Sequence, residues 1–288
     1  MDLNTLNKEQ KIAVEHKKGP LLVLSGAGTG KTRVLTSRFV YIVKNLNVKF
    51  NEIIAVTFTN KAANEIKERV NKELQSSIET QWIGTFHSIF AKFLRKHSGI
   101  VNLKSNYTIL DIEDQKKLTK QVLDYCKIDK DISESIYHNE IQNLKDNKIF
   151  FNENKKISKF SSLERLDDIY SYYQQRLIEI NAVDFGDILL HSYQILLNNP
   201  EIQKSYQSFI KHILIDEFQD TNLIQYDLIK LILNHNKNLF CVGDDDQSIY
   251  AWRGANIENI INFPKEFNSP VVRLTKNYRS NSSILEAA

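Results

Sequence analysis

The stretch Pro20-Leu-Leu-Val-Leu-Ser25-Gly-Ala-Gly-Thr-Gly-Lys-Thr32-Arg-Val-Leu-Thr-Ser-Arg-Phe-Val-Tyr-Ile-Val43 decides the fold. Pro20 to Leu24 form a short unbroken apolar run, the pattern of a parallel strand buried on both faces. Val34, Leu35, Phe39, Ile42 and Val43 recur at helical spacing. Between them lie Ser25, Gly26, Ala27, Gly28, Thr29, Gly30, Lys31 and Thr32. A strand, a glycine-rich loop and a helix in that order make a phosphate-binding loop. The glycines let backbone N–H groups turn inward as a nest for an anion, and the helix N-terminus adds partial positive charge. Lys31 reaches the outer phosphates, and the Thr32 hydroxyl completes the shell of a Mg²⁺ ion. Ser25 occupies a position where the usual pattern has glycine. A small residue fits there if Gly26 and Gly28 supply the unusual backbone angles.

Outward from this stretch the alternation continues. Glu52 to Phe58 reads as a second apolar strand, Thr59-Asn60 as the cap of a helix over Lys61 to Leu74, and Gln81 to Thr85 as a third strand. Strand, helix, strand, helix, strand argues for a parallel sheet covered by helices. Upstream, Leu6 to Val14 reads as a short helix capped by Asn4 or Asn7, with Gln10 turned away from Ile12 and Val14. From about Ser88 the pattern changes to helical spacings with almost no strand. Its clearest case is Leu163, Leu166, Tyr170, Tyr173, Leu177 and Ile180, with Ser161 and Glu164 placed as a capping box. Asp146 to Lys159, polar and lysine-rich, reads as a solvated loop. Sheet character resumes at His212 to Glu217, Leu239 to Asp244 and Val271 to Thr275. Residues 1–87 and 183–288 are therefore expected to form one discontinuous α/β domain, interrupted by a helical domain over 88–182.

Composition narrows the function classes. A formal charge of +3 on 288 residues does not by itself argue for nucleic acid, although one face can be locally basic. No apolar run approaches the ~20 residues that span a bilayer, so no membrane partner is expected. The N-terminus lacks the basic-then-apolar order of a signal peptide. Cys126 and Cys241 lie far apart, which reads as two reduced structural thiols in a cytoplasmic protein. Neither belongs to a metal-ligand pair.

A nucleotide at Lys31 needs a metal ligand and a means of activating water. Ile213-Leu-Ile-Asp216-Glu217 supplies both, because an apolar strand ending in two carboxylates puts them at the carboxyl edge of the sheet. Asp216 is the expected Mg²⁺ ligand, directly or through water. Glu217 is the expected general base.

These residues carry a resemblance. Asp216-Glu-Phe-Gln-Asp-Thr-Asn222 resembles the DExx box of superfamily-1 DNA helicases of the UvrD, Rep and PcrA type. Gly243-Asp-Asp-Asp-Gln-Ser-Ile-Tyr-Ala-Trp-Arg-Gly-Ala255 is similar to that family's motif III, Thr57 to Ala63 to motif Ia, and Gly84 to Ser88 to motif Ib. Leu274-Thr-Lys-Asn-Tyr-Arg-Ser280 is similar to motif IV, and Asn7 with Gln10 to the Q motif. The resemblance implies a RecA-like P-loop NTPase core, with a central mostly parallel sheet, interrupted by an inserted all-helical domain. It implies that Gln10 and Tyr278 contact adenine, that Gln247 senses the γ-phosphate, and that Arg279 neutralises charge developing there. Arg33 is placed near the nucleotide. Phe58, His87, Tyr250 and Trp252 resemble the family's groove residues, whose aromatic faces stack on bases without reading sequence.

The function so implied is the ATP-binding half of a 3′-to-5′ translocase or helicase on single-stranded DNA and duplex junctions, acting in DNA repair or replication with proteins of those pathways. A subunit of a helicase–nuclease and a non-catalytic nucleotide-gated DNA-binding module are the alternatives. Because the chain stops after motif IV, it reads as an N-terminal piece whose second RecA-like core lies downstream. The piece alone is expected to turn over ATP slowly and not to unwind a duplex.

Overall fold

The computed structural model describes residues 3–77, 80, 82–128, 133–244 and 256–279. Among these are eight strands: β1 (Leu21–Ser25), β2 (Ile53–Thr57), β3 (Ile83–Thr85), β4 (Thr108–Ile109), β5 (Ala182–Val183), β6 (His212–Ile215), β7 (Leu239–Gly243) and β8 (Val271–Leu274). Six of them form one sheet in the order β3-β2-β6-β7-β1-β8, and every pairing in it is parallel. All six carboxyl ends consequently open on the same edge.

Chain contacts cluster into two units, Met1–Ile89 with Pro200–Asn222 and Ile229–Ala288, and Phe90–Asn199 with Leu223–Leu228. The first holds the six-stranded sheet. β2, β6 and β7 are buried along their whole length, as central strands of a covered parallel sheet must be. Helices α1 (Lys8–Glu15), α2 (Lys31–Asn45) and α3 (Asn60–Leu74) pack Val14, Val34, Phe39, Ile66 and Val70 with Leu21, Val23, Ala55 and Val242. Thr59 caps α3 through a hydrogen bond from the Ala62 N–H. Arg38 is buried on α2; it donates to the Val14 carbonyl at 2.8 Å and lies over the Tyr41 and Phe240 rings. No helix among the described residues is long and apolar enough to cross a membrane.

After α4 (Phe86–His97), the second unit contains α5 (Ile112–Cys126), α6 (Glu134–Asp146), α7 (Asn154–Phe160), α8 (Leu166–Glu179) and α9 (Phe185–Asn198). Its core joins Leu118, Val122, Tyr137, Ile141, Leu144, Tyr170, Tyr173 and Leu177. It also holds the parallel pair β4–β5, with Ile109 opposite Val183, so it is not wholly helical. The expected border at residue 183 falls inside that pair. The unit runs on through α9, whose Asp187 meets Lys145 of α6 at 2.7 Å with both side chains fully buried.

Two local readings change. The box expected from Ser161 and Glu164 does not form: α8 begins at Leu166 behind Arg165, whose φ of 51° is left-handed, and the Ser161 hydroxyl accepts from the Leu163 N–H instead. The expected loop from Asp146 to Lys159 contains helix α7, because Ile157 is an anchor that goes into the core.

Candidate active site

The parallel sheet brings the ends of β1, β6 and β7 to one place. In the loop after β1, three carbonyls accept from donors outside the loop. Asn277 Nδ2 donates to Ala27 O at 2.8 Å, the Tyr278 N–H to Gly28 O at 2.9 Å and Gln10 Nε2 to Thr29 O at 3.0 Å. Thr29 also closes the loop on itself through its hydroxyl, 2.8 Å from Gly26 O. The Thr29 N–H also turns to Gly26 O, at 3.4 Å, which leaves the other loop N–H groups and the α2 N-terminus as candidates for an anion.

The glycines divide differently from expectation. Gly28 and Gly30 have φ of +76° and +93°, whereas Gly26 is not in the left-handed region. Gly30 serves as the N-cap of α2, and a Cβ at Gly28 would meet Arg279 Cβ at 2.6 Å. Ser25 is accommodated as the last residue of β1, its hydroxyl 3.5 Å from Gly243 O.

Lys31 reaches across to the end of β6, with Nζ 3.1 Å from Glu217 Oε2 and 3.9 Å from Asp244 Oδ2. Glu217 has a left-handed φ of 50°, and its N–H donates to Asp216 Oδ1 at 3.1 Å. Asp216, Asp220 and Asp244 are all buried. Burial, and next the Glu217 charge, push the Asp216 carboxyl up to about 7 and that of Asp220 up to about 6, against a weaker pull from Lys31. Among the described residues, four carboxyls near one ammonium leave the cluster short of positive charge. A divalent cation beside phosphates fits that deficit. Among the described residues no three His, Cys, Asp or Glu side chains converge as a metal cage. Mg²⁺ needs none, since it ordinarily keeps its waters and takes one or two carboxylates plus phosphate oxygens.

The family profile described as "UvrD/REP helicase N-terminal domain" matches residues 6–268. The chain belongs to this UvrD/REP helicase family. It is 42% identical to the ATP-dependent DNA helicase PcrA of Staphylococcus aureus over 289 residues, covering 99% of this chain and 40% of that protein. It is 44% identical to a probable DNA helicase II homolog of Rickettsia felis and 45% identical to the DNA helicase II of Rickettsia typhi; each match covers 99% of this chain and 44% of the relative. The chain thus spans about two fifths of the length of these curated relatives.

The other residues singled out within this UvrD/REP chain divide as follows. Gln10 is buried, not turned outward. It shares a face with Val14 while Ile12 is exposed, because Gln10 closes a capping box with Asn7, accepting from the Asn7 N–H at 3.1 Å as its own N–H donates to Asn7 Oδ1. Its amide therefore shapes the loop. Arg33 is drawn away to Thr5, donating to its hydroxyl at 2.7 Å and its carbonyl at 3.1 Å. Tyr278 leaves half its ring exposed beside the loop, its hydroxyl accepting from Asn7 Nδ2 at 3.0 Å. The Arg279 N–H is held by Asn277 Oδ1 at 2.8 Å. Phe58 and His87, both half-buried, follow the paired strands β2 and β3 at the carboxyl edge. Gln247, Tyr250 and Trp252 lie outside the described residues. Sequence reasoning passed over Asn277, Gln219 and Asp244. Asp244 was legible as the first acid after an apolar strand; a lone Asn or Gln carries no such signal.

Proposed function

We propose that this chain is the ATP-binding half of an ATP-dependent translocase or helicase on single-stranded DNA. The observation that carries the reading is the meeting of Lys31 and Glu217 at 3.1 Å, although 185 residues separate them in the chain. The relatives, an ATP-dependent DNA helicase PcrA and a DNA helicase II, support the same reading.

In this mechanism the Gly26–Gly30 backbone and the α2 N-terminus bind the phosphates, and Lys31 leaves Glu217 for the β- and γ-oxygens. Thr32 and Asp216 would hold Mg²⁺, which would supply positive charge against the phosphates. Freed of Lys31, Glu217 takes the proton from the attacking water. Tyr278 offers its exposed face to adenine, and Arg279 and Gln247 meet the γ-phosphate. Phe58, His87, Tyr250 and Trp252 stack on successive bases of the strand. We place its work in the cytoplasm, at single strands and duplex junctions in repair or replication, with a second RecA-like core completing the ATP cleft.

The test is Glu217→Gln in the full-length protein. ATP turnover stimulated by single-stranded DNA should fall by about 10²–10⁴-fold, with nucleotide affinity retained. Turnover near wild type would remove Glu217 from the role of base.

A further inference from the structure

We infer that Gln219 is a positioning residue for Glu217, tying the water-activating carboxylate to the end of β7; the inference rests on the role proposed above for Glu217. Gln219 lies in the 3-10 turn Phe218–Asp220 and is 1% exposed. The two ends of its amide face different partners. Oε1 accepts from the Asp244 backbone N–H at 3.0 Å, and Nε2 donates to Glu217 Oε2 at 2.9 Å. A backbone N–H can only donate, so the amide oxygen must face Asp244 and the nitrogen must face the carboxylate. A weaker contact joins Nε2 to Asp220 Oδ2 at 3.5 Å.

Gly243 keeps the seat open, since a Cβ there would come within 2.9 Å of Gln219 Oε1 and 2.8 Å of Ile260 Cδ1. The contacts then close into a ring through Lys31, which lies 3.1 Å from Glu217 and 3.9 Å from Asp244. Glu217 holds a left-handed backbone conformation that costs a non-glycine residue energy, so its geometry must be imposed by its surroundings. When Lys31 turns to the phosphates, the Gln219 amide still holds Glu217 Oε2. Its own position is set by the Asp244 N–H. Asp244 opens the segment that carries Gln247, Tyr250 and Trp252 in sequence. Movement at the end of β7 therefore reaches the base through one side chain.

The experiment compares Gln219→Met and Gln219→Glu with Glu217→Gln and wild type in the full-length protein. Methionine keeps the size and loses both hydrogen bonds. Glutamate keeps the acceptor for the Asp244 N–H and loses the donor to Glu217. The measurements are kcat and KM for ATP with saturating oligo(dT), affinity for a fluorescent ATP analogue, and thermal unfolding. Both Gln219 variants should lose about 10- to 100-fold in kcat, the scale of a misplaced catalytic group. KM, analogue affinity and melting temperature should stay near wild type, because only the chemical step has lost its geometry. Loss in Gln219→Met with full kcat in Gln219→Glu would leave only a structural tie to Asp244 and overturn the inference. Loss of folding or analogue binding in both variants would overturn it equally. If Glu217→Gln is inactive while both Gln219 variants turn over normally, the inference alone fails. If Glu217→Gln itself turns over normally, the assignment of the base fails and takes the inference with it.

Discussion

Replacing Lys145 by Met should unfold the second unit's core from the inside. Lys145 Nζ lies 2.6 Å from Asp184 Oδ2 and 2.7 Å from Asp187 Oδ1, and none of the three side chains has any exposure. Gln142 and Tyr173 donate to Asp184 at 2.9 and 3.1 Å, and Gln174 to Asp187 at 3.1 Å. Methionine matches the stem of the lysine, so packing against Tyr170 and Tyr173 survives. The cation does not. Two carboxylates would then share a buried site whose remaining donors are neutral, and breaking a buried pair by removing one partner costs about 3–5 kcal/mol. Burial works against the Asp184 charge, yet the Lys145 charge and the hydrogen bonds from Lys145 and Gln142 outweigh it and hold that carboxyl below its ordinary value. A folded-state pKa that is depressed contributes stability above the unfolded value, and that contribution is lost as pH falls through the folded value. Without Lys145 the folded value rises instead, and stability is lost as pH rises. The gap between wild type and Lys145→Met should therefore be widest near neutrality and shrink as pH drops below about 4. Urea denaturation followed by circular dichroism from about pH 2.5 to pH 8 measures it. A loss below about 1 kcal/mol at pH 7, or a gap that does not narrow in acid, would refute the reasoning.

Gly28→Ala should cost about 1–2 kcal/mol from its left-handed φ alone. It should also push the Arg279 backbone off the loop and lower ATP affinity about tenfold in a nucleotide titration; wild-type affinity would show the 277–279 segment to be unimportant to binding. Burial, then the Arg38 charge, push His212 down to about 4. The unfolded chain therefore takes its proton first, and about 3 kcal/mol of stability should be lost as pH falls from 6.5 towards 4, a slope that His212→Gln flattens in denaturant titrations. Trp252→Ala should weaken binding to oligo(dT) by about 1–3 kcal/mol in anisotropy titrations, and unchanged affinity would take it out of the DNA groove.

What sequence made legible follows from which interactions are local. The β1 run, the glycine loop and α2 are contiguous, so the strand, loop and helix could be read directly. Asp216 and Glu217 were readable because an apolar run ending in carboxylates has one plausible place in a parallel sheet. Gln10 was misjudged because its burial depends on a partner nineteen residues away, the Thr29 carbonyl, whose need for a donor is invisible in the helix pattern. The extension of the second unit through α9 was missed for a similar reason. Asp184 and Asp187 look like a helix start facing water until Lys145, 39 residues upstream of Asp184, is brought against them. Charged residues in an amphipathic pattern are read as surface, and a fully buried ionic network defeats that rule.

The loop's three outside donors bear on how nucleotide occupancy is communicated. Gln10 lies near the start of the first unit, and Asn277 and Tyr278 follow its last strand, β8. Asn7, whose N–H donates to Gln10, also donates from its side chain to the Tyr278 hydroxyl, so the two clamps are joined to each other as well as to the loop. A displacement of Thr29 O by an arriving phosphate would pull on Gln10 and through Asn7 on Tyr278. A displacement of Gly28 O would pull on the Tyr278 N–H directly. Both routes end at the ring proposed to meet adenine and at the adjacent Arg279. Base recognition and phosphate binding, as proposed above, would therefore be coupled through hydrogen bonds of 2.8 to 3.1 Å.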